Sequence, residues 1–429
     1  MPERLRGVCV AHQNPDFRTL SHRAARLTGD SSMPEYLVEH FARVGASWHA
    51  IANPDGYLGL CVAENRLVWD LLEEKVTAPR NVPASALGYD AMIGSERFRT
   101  ILAEFLGRRL LGRKVTADQL AVLAGAGSVL EILFWVLCDP GDGVLVPTPS
   151  YAGFWLDLEC RNELSIVPVH TRADEGFRLT PERLEAALSG ADRPVRALLY
   201  TNPDNPRGAV ASTEEISAVL DWAADHGLHV VADELYGLSV FGDTQFVSAG
   251  SLPHRLGDRL HTVWAFSKDF AASGLRCGVL HSDNGEVLRA VDGLSYWACC
   301  SGDTQHLLGE MLVDGAWVER YLVTMPARLG AACDAVMSAL TEAGIPFVRS
   351  EAGFFLLLDL RRWLPSSDWQ GEHRLWRRIL EFARVNLTPG AACRISEPGF
   401  MRLCFASCEP AGAALAVQRL RALLRPRGY

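Results

Sequence analysis

The sequence has no C-x-x-C pair among its eleven cysteines. Cys299 and Cys300 are neighbours, and Cys404 and Cys408 lie four apart. That pattern is neither a zinc framework nor a disulfide framework, so reduced thiols and no metal site are expected. No stretch of about 20 apolar residues occurs, which excludes an ordinary membrane-spanning helix. The opening Met1-Pro-Glu-Arg-Leu-Arg-Gly7 lacks an apolar signal core. The expectation is a soluble, cytoplasmic protein. There is no basic block, and net charge is −9, so nucleic acid is not an expected partner. Internal repeats, low-complexity tracts and a helix-turn-helix arm are also missing.

What remains is a long, apolar-rich chain. Its 429 residues are 48% apolar, enough for a large domain with a smaller companion. Residues 1–65 read as an N-terminal arm plus part of the small domain, with a helix near Pro34–Val44 and a strand near Tyr57–Val62. Residues 66–310 read as the large domain. After helical stretches at Leu67–Val76 and Ser95–Leu106, short apolar runs alternate with helical ones. The runs are Gln119–Ala124, Gly143–Pro147, Leu164–Pro168, Ala197–Thr201, His229–Ala232, His261–Phe266 and Cys277–His281. Helical spacing marks Val129–Cys138 and Glu214–His226. This alternation predicts an α/β fold with a mostly parallel central sheet. Residues 311–429 read as a smaller α+β domain, with strands at Phe354–Leu360 and Met401–Phe405 and helices at Leu375–Arg384 and Ala413–Leu424.

Chemistry concentrates just after the apolar runs, where α/β sheets place their ligands. Lys268, in Phe266-Ser-Lys-Asp269, follows one such run. A desolvated lysine loses its proton and can form a Schiff base. Gly125-Ala-Gly-Ser128 follows a run and opens a helix, freeing backbone N–H groups for an anion. Asp233-Glu-Leu-Tyr236 supplies a carboxylate of the kind a pyridinium nitrogen needs. Pro147-Thr-Pro-Ser-Tyr151 supplies an aromatic able to stack on a flat ring. Thr201-Asn-Pro-Asp-Asn-Pro-Arg-Gly208 is a rigid loop at a strand end. A reactive lysine, a ring-nitrogen partner, a stacking aromatic and anion donors are the parts of a pyridoxal phosphate site.

At these residues the chain resembles fold-type I pyridoxal-phosphate enzymes of the class I/II aminotransferase group. It is most similar to 1-aminocyclopropane-1-carboxylate (ACC) synthases. Asn53-Pro-Asp-Gly…Ala63-Glu-Asn65 resembles N-P-x-G…A-E-N. Leu145-Val-Pro-Thr-Pro-Ser-Tyr-Ala-Gly-Phe154 resembles L-V-P-T-P-Y-Y-P-G-F, and Thr201–Gly208 resembles T-N-P-S-N-P-x-G. Val385-Asn-Leu-Thr-Pro-Gly390 and Glu397-Pro-Gly-Phe-Met-Arg402 continue the match.

The resemblance implies roles. Lys268 holds the cofactor and moves the α-proton. Asp233 partners the ring nitrogen, while Asn202 and Tyr236 donate to the ring oxygen and Tyr151 stacks. Ala126, Gly127, Ser128, Ser267 and Arg276 surround the phosphate. Arg402 grips the substrate carboxylate. Glu64 and Tyr36 border the substrate. Met92 stands where the family has a tyrosine that reaches the partner subunit's site, with Tyr89 nearby as a substitute. Ala265 replaces a phosphate-site serine, and Ser301-Gly-Asp-Thr-Gln305 replaces an S-S-Q-T-Q run. These departures predict a looser phosphate cup.

The implied reaction is α-deprotonation of S-adenosylmethionine, or a similar γ-substituted amino acid, to a quinonoid. An α,γ-elimination or γ-replacement follows, with a second small molecule as a potential trap, in a specialised biosynthetic pathway. An ordinary aminotransferase producing a keto acid is the alternative, and a non-catalytic regulator the third. A homodimer is expected by analogy.

Overall fold

The computed structural model describes residues 19–28 and 33–425. Seven strands form the central sheet: β1 (Leu120–Leu123), β2 (Gly143–Thr148), β3 (Ser165–His170), β4 (Val195–Thr201), β5 (His229–Asp233), β6 (Leu260–Ala265) and β7 (Gly278–Ser282). Their order is β1-β7-β6-β5-β4-β2-β3. Pairs β2–β3, β2–β4, β4–β5 and β5–β6 are parallel, and β7 alone runs against its neighbours β1 and β6. Every residue of β1, β6 and β7 is buried. Helices cover both faces, so these strands read as apolar runs rather than alternating ones. The parallel strands and β1 end at one edge of the sheet, which collects Gly125, Tyr151, Asn202, Asp233 and Lys268.

The sequence reading located all seven strands to within a residue or two. One helix begins earlier than its apolar periodicity indicates, at Ala126 rather than Val129. Ala126, Gly127 and Ser128 lack the apolar spacing, yet Gly125, at φ +94°, turns the chain directly into the helix. The C-terminal helix Trp369–Arg378 passes into a π-turn at Ile379–Ala383 and stops at Arg384, φ +55°.

A second sheet carries the strands Thr388–Pro389, Phe400–Cys404, Phe355–Asp359 and Phe347–Val348, in that order. The N-terminal strand Leu58–Gly59 runs parallel to Val385–Asn386, and Asn386 Nδ2 donates to the Tyr36 carbonyl at 2.9 Å. The polar first part of the chain is thus tied to residues more than 300 positions away. Helix Gly315–Ala343 packs against helix Pro410–Leu424. No described helix is long and apolar enough to cross a membrane.

Candidate active site

Lys268 sits in the short turn Phe266–Asp269 that follows the fully buried strand β6. Its Nζ donates one hydrogen bond, to the Ala63 carbonyl at 2.6 Å. Burial, then the nearby Arg402 cation, pulls its amine down from 10.5 to about 8. The sequence holds only three lysines, Lys75, Lys114 and Lys268. Lys75 is paired with Asp314 at 2.5 Å.

Asp233 ends β5 beside Thr201 of β4. Its carboxylate accepts from Leu235 N at 3.3 Å and Thr201 Oγ1 at 3.4 Å, both long contacts. Burial pushes it up to about 7. Asn202 is buried; its Oδ1 accepts from Ala211 N at 2.9 Å, while its Nδ2 has no partner among the described residues. A buried donor left unmatched is uncommon and calls for a ligand acceptor.

Gly125 carries the phosphate-cup geometry. A Cβ there would collide with the Arg276 guanidinium, so only glycine lets the cation approach the helix start. Arg276, itself at φ +49°, donates to Ser273 O at 2.9 Å and Ala124 O at 3.3 Å. The first N–H groups of helix Ala126–Leu137 have no intrahelical acceptor, so Ala126, Gly127 and Ser128 can meet an anion beside this arginine. Ser267 is buried, and its carbonyl accepts from Ser273 Oγ at 2.8 Å.

Tyr151 is 40% exposed, its ring edge-on to Phe154 at 5.3 Å. Its hydroxyl lies in the combined field of Asp157, Arg402, Asp233 and Arg276. Tyr236 is buried between Phe354 and Phe355, and burial raises its hydroxyl well above 10. Arg402, in the strand Phe400–Cys404, lies 5.4 Å from the Phe355 ring centroid. It donates to Asn205 Oδ1 at 2.8 Å, Cys61 O at 2.7 Å and Thr388 Oγ1 at 3.2 Å, with Nε unpartnered. Tyr36 is buried within the field of Arg402. Glu64 follows the carbonyl that holds Lys268 and pairs with Arg66 at 3.2 Å.

Met92 is not brought to this cluster within the chain. With Tyr89, it lines a separate groove of about 390 Å³ that also includes Tyr296 and His306. The Ser301–Gln305 run also stays away from the cup. Asp303 pairs with Arg80, and Gln305 bridges Ser95 N and the Cys300 carbonyl. A side chain at Gly302 would strike the Ala86 carbonyl, so glycine is the residue that fits this packing. Ala265 is fully buried at the end of β6.

Sequence reasoning did not single out Asp157, Cys61, Asn205 or Thr388. The Asp157 Oδ1 lies 3.7 Å from where a Gly127 Cβ would stand, and burial pushes its carboxyl up to about 6. Asn205 and Thr388 lay inside quoted motifs but carried no role until Arg402 was seen between them.

A family model described as "Aminotransferase class I and II" matches residues 57–420. Among curated proteins, 1-aminocyclopropane-1-carboxylate synthase 4 of Oryza sativa subsp. japonica is 35% identical over 413 residues, covering 87% of this chain and 83% of that protein. The synthase CMA101 of Cucurbita maxima is 34% identical over 401 residues, covering 88% and 84%. The solved aspartate aminotransferase of Thermus thermophilus with maleate aligns at TM-score 0.79 and 24% identity, over 95% of this chain and all of that one. That last likeness concerns the fold.

Proposed function

The chain belongs to the class I and II aminotransferase family and is a pyridoxal-phosphate enzyme similar to ACC synthases. From that premise we propose that it acts on S-adenosylmethionine, or a closely related γ-substituted amino acid, by α,γ-elimination or γ-replacement. The residues fit the cofactor. The Asn202 Nδ2 is free, the Gly125–Arg276 contact forms a cup, and Asp233 retains acceptor capacity. When bound, pyridoxal phosphate supplies an electron sink for the substrate's α-carbon.

This chain's own residues do the rest. Arg402 holds the substrate carboxylate. Lys268, drawn toward neutrality by burial, takes the α-proton. Loss of 5′-methylthioadenosine carries away the bonding pair of the γ-carbon–sulfur bond. Attack of the α-carbon on the γ-carbon gives ACC, whereas loss of a β-proton opens the elimination branch to an added partner.

One observation carries the reading. The Lys268–Ala63 contact places the Glu64 carboxylate one residue from the reacting amine, a counter-charge for a sulfonium substrate. An aminotransferase would share Lys268, Asp233 and Arg402 but has no need of that charge. The same reading makes the working form a cytoplasmic homodimer in a specialised pathway. Exposed Leu87, Tyr89 and Tyr296 support an apolar subunit contact.

The test is mass spectrometry of products from enzyme, pyridoxal phosphate and S-adenosylmethionine, with α-deuterium exchange followed in parallel. Release of methylthioadenosine, alone or with candidate second substrates, is the expected result. A keto acid from added amino acids, with no methylthioadenosine under any condition, would overturn it.

A further inference from the structure

Beside Lys268 lies a hollow of about 360 Å³ that the mechanism above does not use. Glu64, Asn65 and Arg66 form one wall, Ala271 and Ser273 the other, and Trp69 the rim. Small-molecule pockets begin at about 300 Å³. Its walls are continuous with the catalytic centre on both sides. Ala63, whose carbonyl holds the Lys268 amine, directly precedes Glu64 and Asn65. Successive residues are about 3.8 Å apart, so the hollow opens within one or two residues of the reacting groups. On the far wall, Ser273 Oγ bonds the Ser267 carbonyl, next to Lys268.

Two features point to a ligand. Asn65 is 7% exposed, and its Oδ1 accepts from Leu67 N at 3.0 Å, but its Nδ2 has no partner among the described residues. Leaving such a donor buried and unmatched is costly unless an acceptor arrives. Trp69, by contrast, leaves a large aromatic surface 56% exposed at the rim. A flat ring with in-plane acceptors satisfies both, since it stacks on the indole and accepts from the amide. Glu64, bonded to Arg66 through one oxygen, keeps acceptor capacity for an exocyclic amine.

We propose that this hollow is the subsite for the adenine of an adenosyl substrate, with Trp69 stacking on the base and Asn65 donating to a ring nitrogen. The proposal rests on the S-adenosylmethionine reading above. It explains how one residue pair selects a bulky adenosylsulfonium over a smaller γ-leaving group.

The experiment measures 5′-methylthioadenosine binding to the holoenzyme by calorimetry, alongside kcat and KM for S-adenosylmethionine and S-methylmethionine. Base–aromatic stacking is worth about 1–3 kcal/mol, so Trp69→Ala should weaken methylthioadenosine binding about tenfold or more. It should raise KM for S-adenosylmethionine more than it lowers kcat, and collapse the preference over S-methylmethionine. Trp69→Phe should restore most of the binding. Asn65→Asp, which keeps the Oδ1 cap and removes the donor, is the second variant and should also weaken binding. If Trp69→Ala and Asn65→Asp leave methylthioadenosine affinity unchanged while the wild type cleaves S-adenosylmethionine, the subsite is overturned and the functional reading stands. If the wild type binds methylthioadenosine through Trp69 but never cleaves S-adenosylmethionine, the functional reading falls and the subsite stands. A change in sedimentation accompanying the lost affinity would make Trp69 a subunit contact and also overturn the subsite.

Discussion

Asp233 and Asp269 are both buried carboxylates following neighbouring strands, yet their surroundings differ. Asp269 accepts from Ser239 Oγ at 2.6 Å, Trp264 Nε1 at 2.8 Å and Leu238 N at 3.0 Å. Glu234 is similarly saturated, by Ser248 Oγ at 2.6 Å and Ala249 N at 2.7 Å. Asp233 has only contacts of 3.3 and 3.4 Å, Lys268 only the Ala63 carbonyl, and the Asn202 amide donates to nothing described. The two classes alternate along the chain, Asp233 beside Glu234 and Lys268 beside Asp269. Saturated groups pin the loops to the sheet. Under-bonded ones keep capacity for a cofactor and substrate, at some cost in stability.

Substitutions should therefore separate the two classes. Lys268→Ala should reduce turnover by at least about 10²–10⁴-fold, because it removes the group that moves the proton. Its thermal midpoint should be unchanged or higher, since a desolvated cation disappears; scanning calorimetry checks this. Asp233→Asn should likewise cost turnover without a comparable loss of stability. Asp269→Ala should do the reverse. Three buried donors lose their acceptor, at about 1–3 kcal/mol each, and the urea midpoint should fall clearly. Equal stability losses in Asp233→Asn and Asp269→Ala would break the distinction.

The smallest effect concerns pH. Burial holds the Glu234 carboxyl up at about 8, against 4.5 in the unfolded chain. The native state then keeps a proton that the unfolded state has released, so this group's contribution to stability falls as pH rises between those values. Urea unfolding across that window should show the decline, and Glu234→Gln should flatten it.

Much of this site was legible because each part follows an apolar run. Asn202, Asp233 and Lys268 are marked by strand, then loop, then chemistry. Whether a carboxylate is saturated was not legible. Glu234 and Asp233 differ only in what β6 and the Ser248 loop bring to them. Asp157 escaped notice because its six-residue helix, Phe154–Glu159, is too short to show periodicity. Its position beside Gly127 arises from tertiary packing. The alignment could place Met92 in register but not on a wall, and in this chain its wall belongs to another groove. The expected loosening of the cup at Ser301–Gln305 rested on the same limit, since those side chains bond elsewhere.

The most direct test of the account is borohydride reduction of the holoenzyme followed by peptide mass mapping. With only Lys75, Lys114 and Lys268 in the sequence, the assignment is unambiguous. The account predicts the pyridoxyl label on Lys268 alone. A label on Lys75 or Lys114, or no label on an enzyme that turns over substrate, would contradict it.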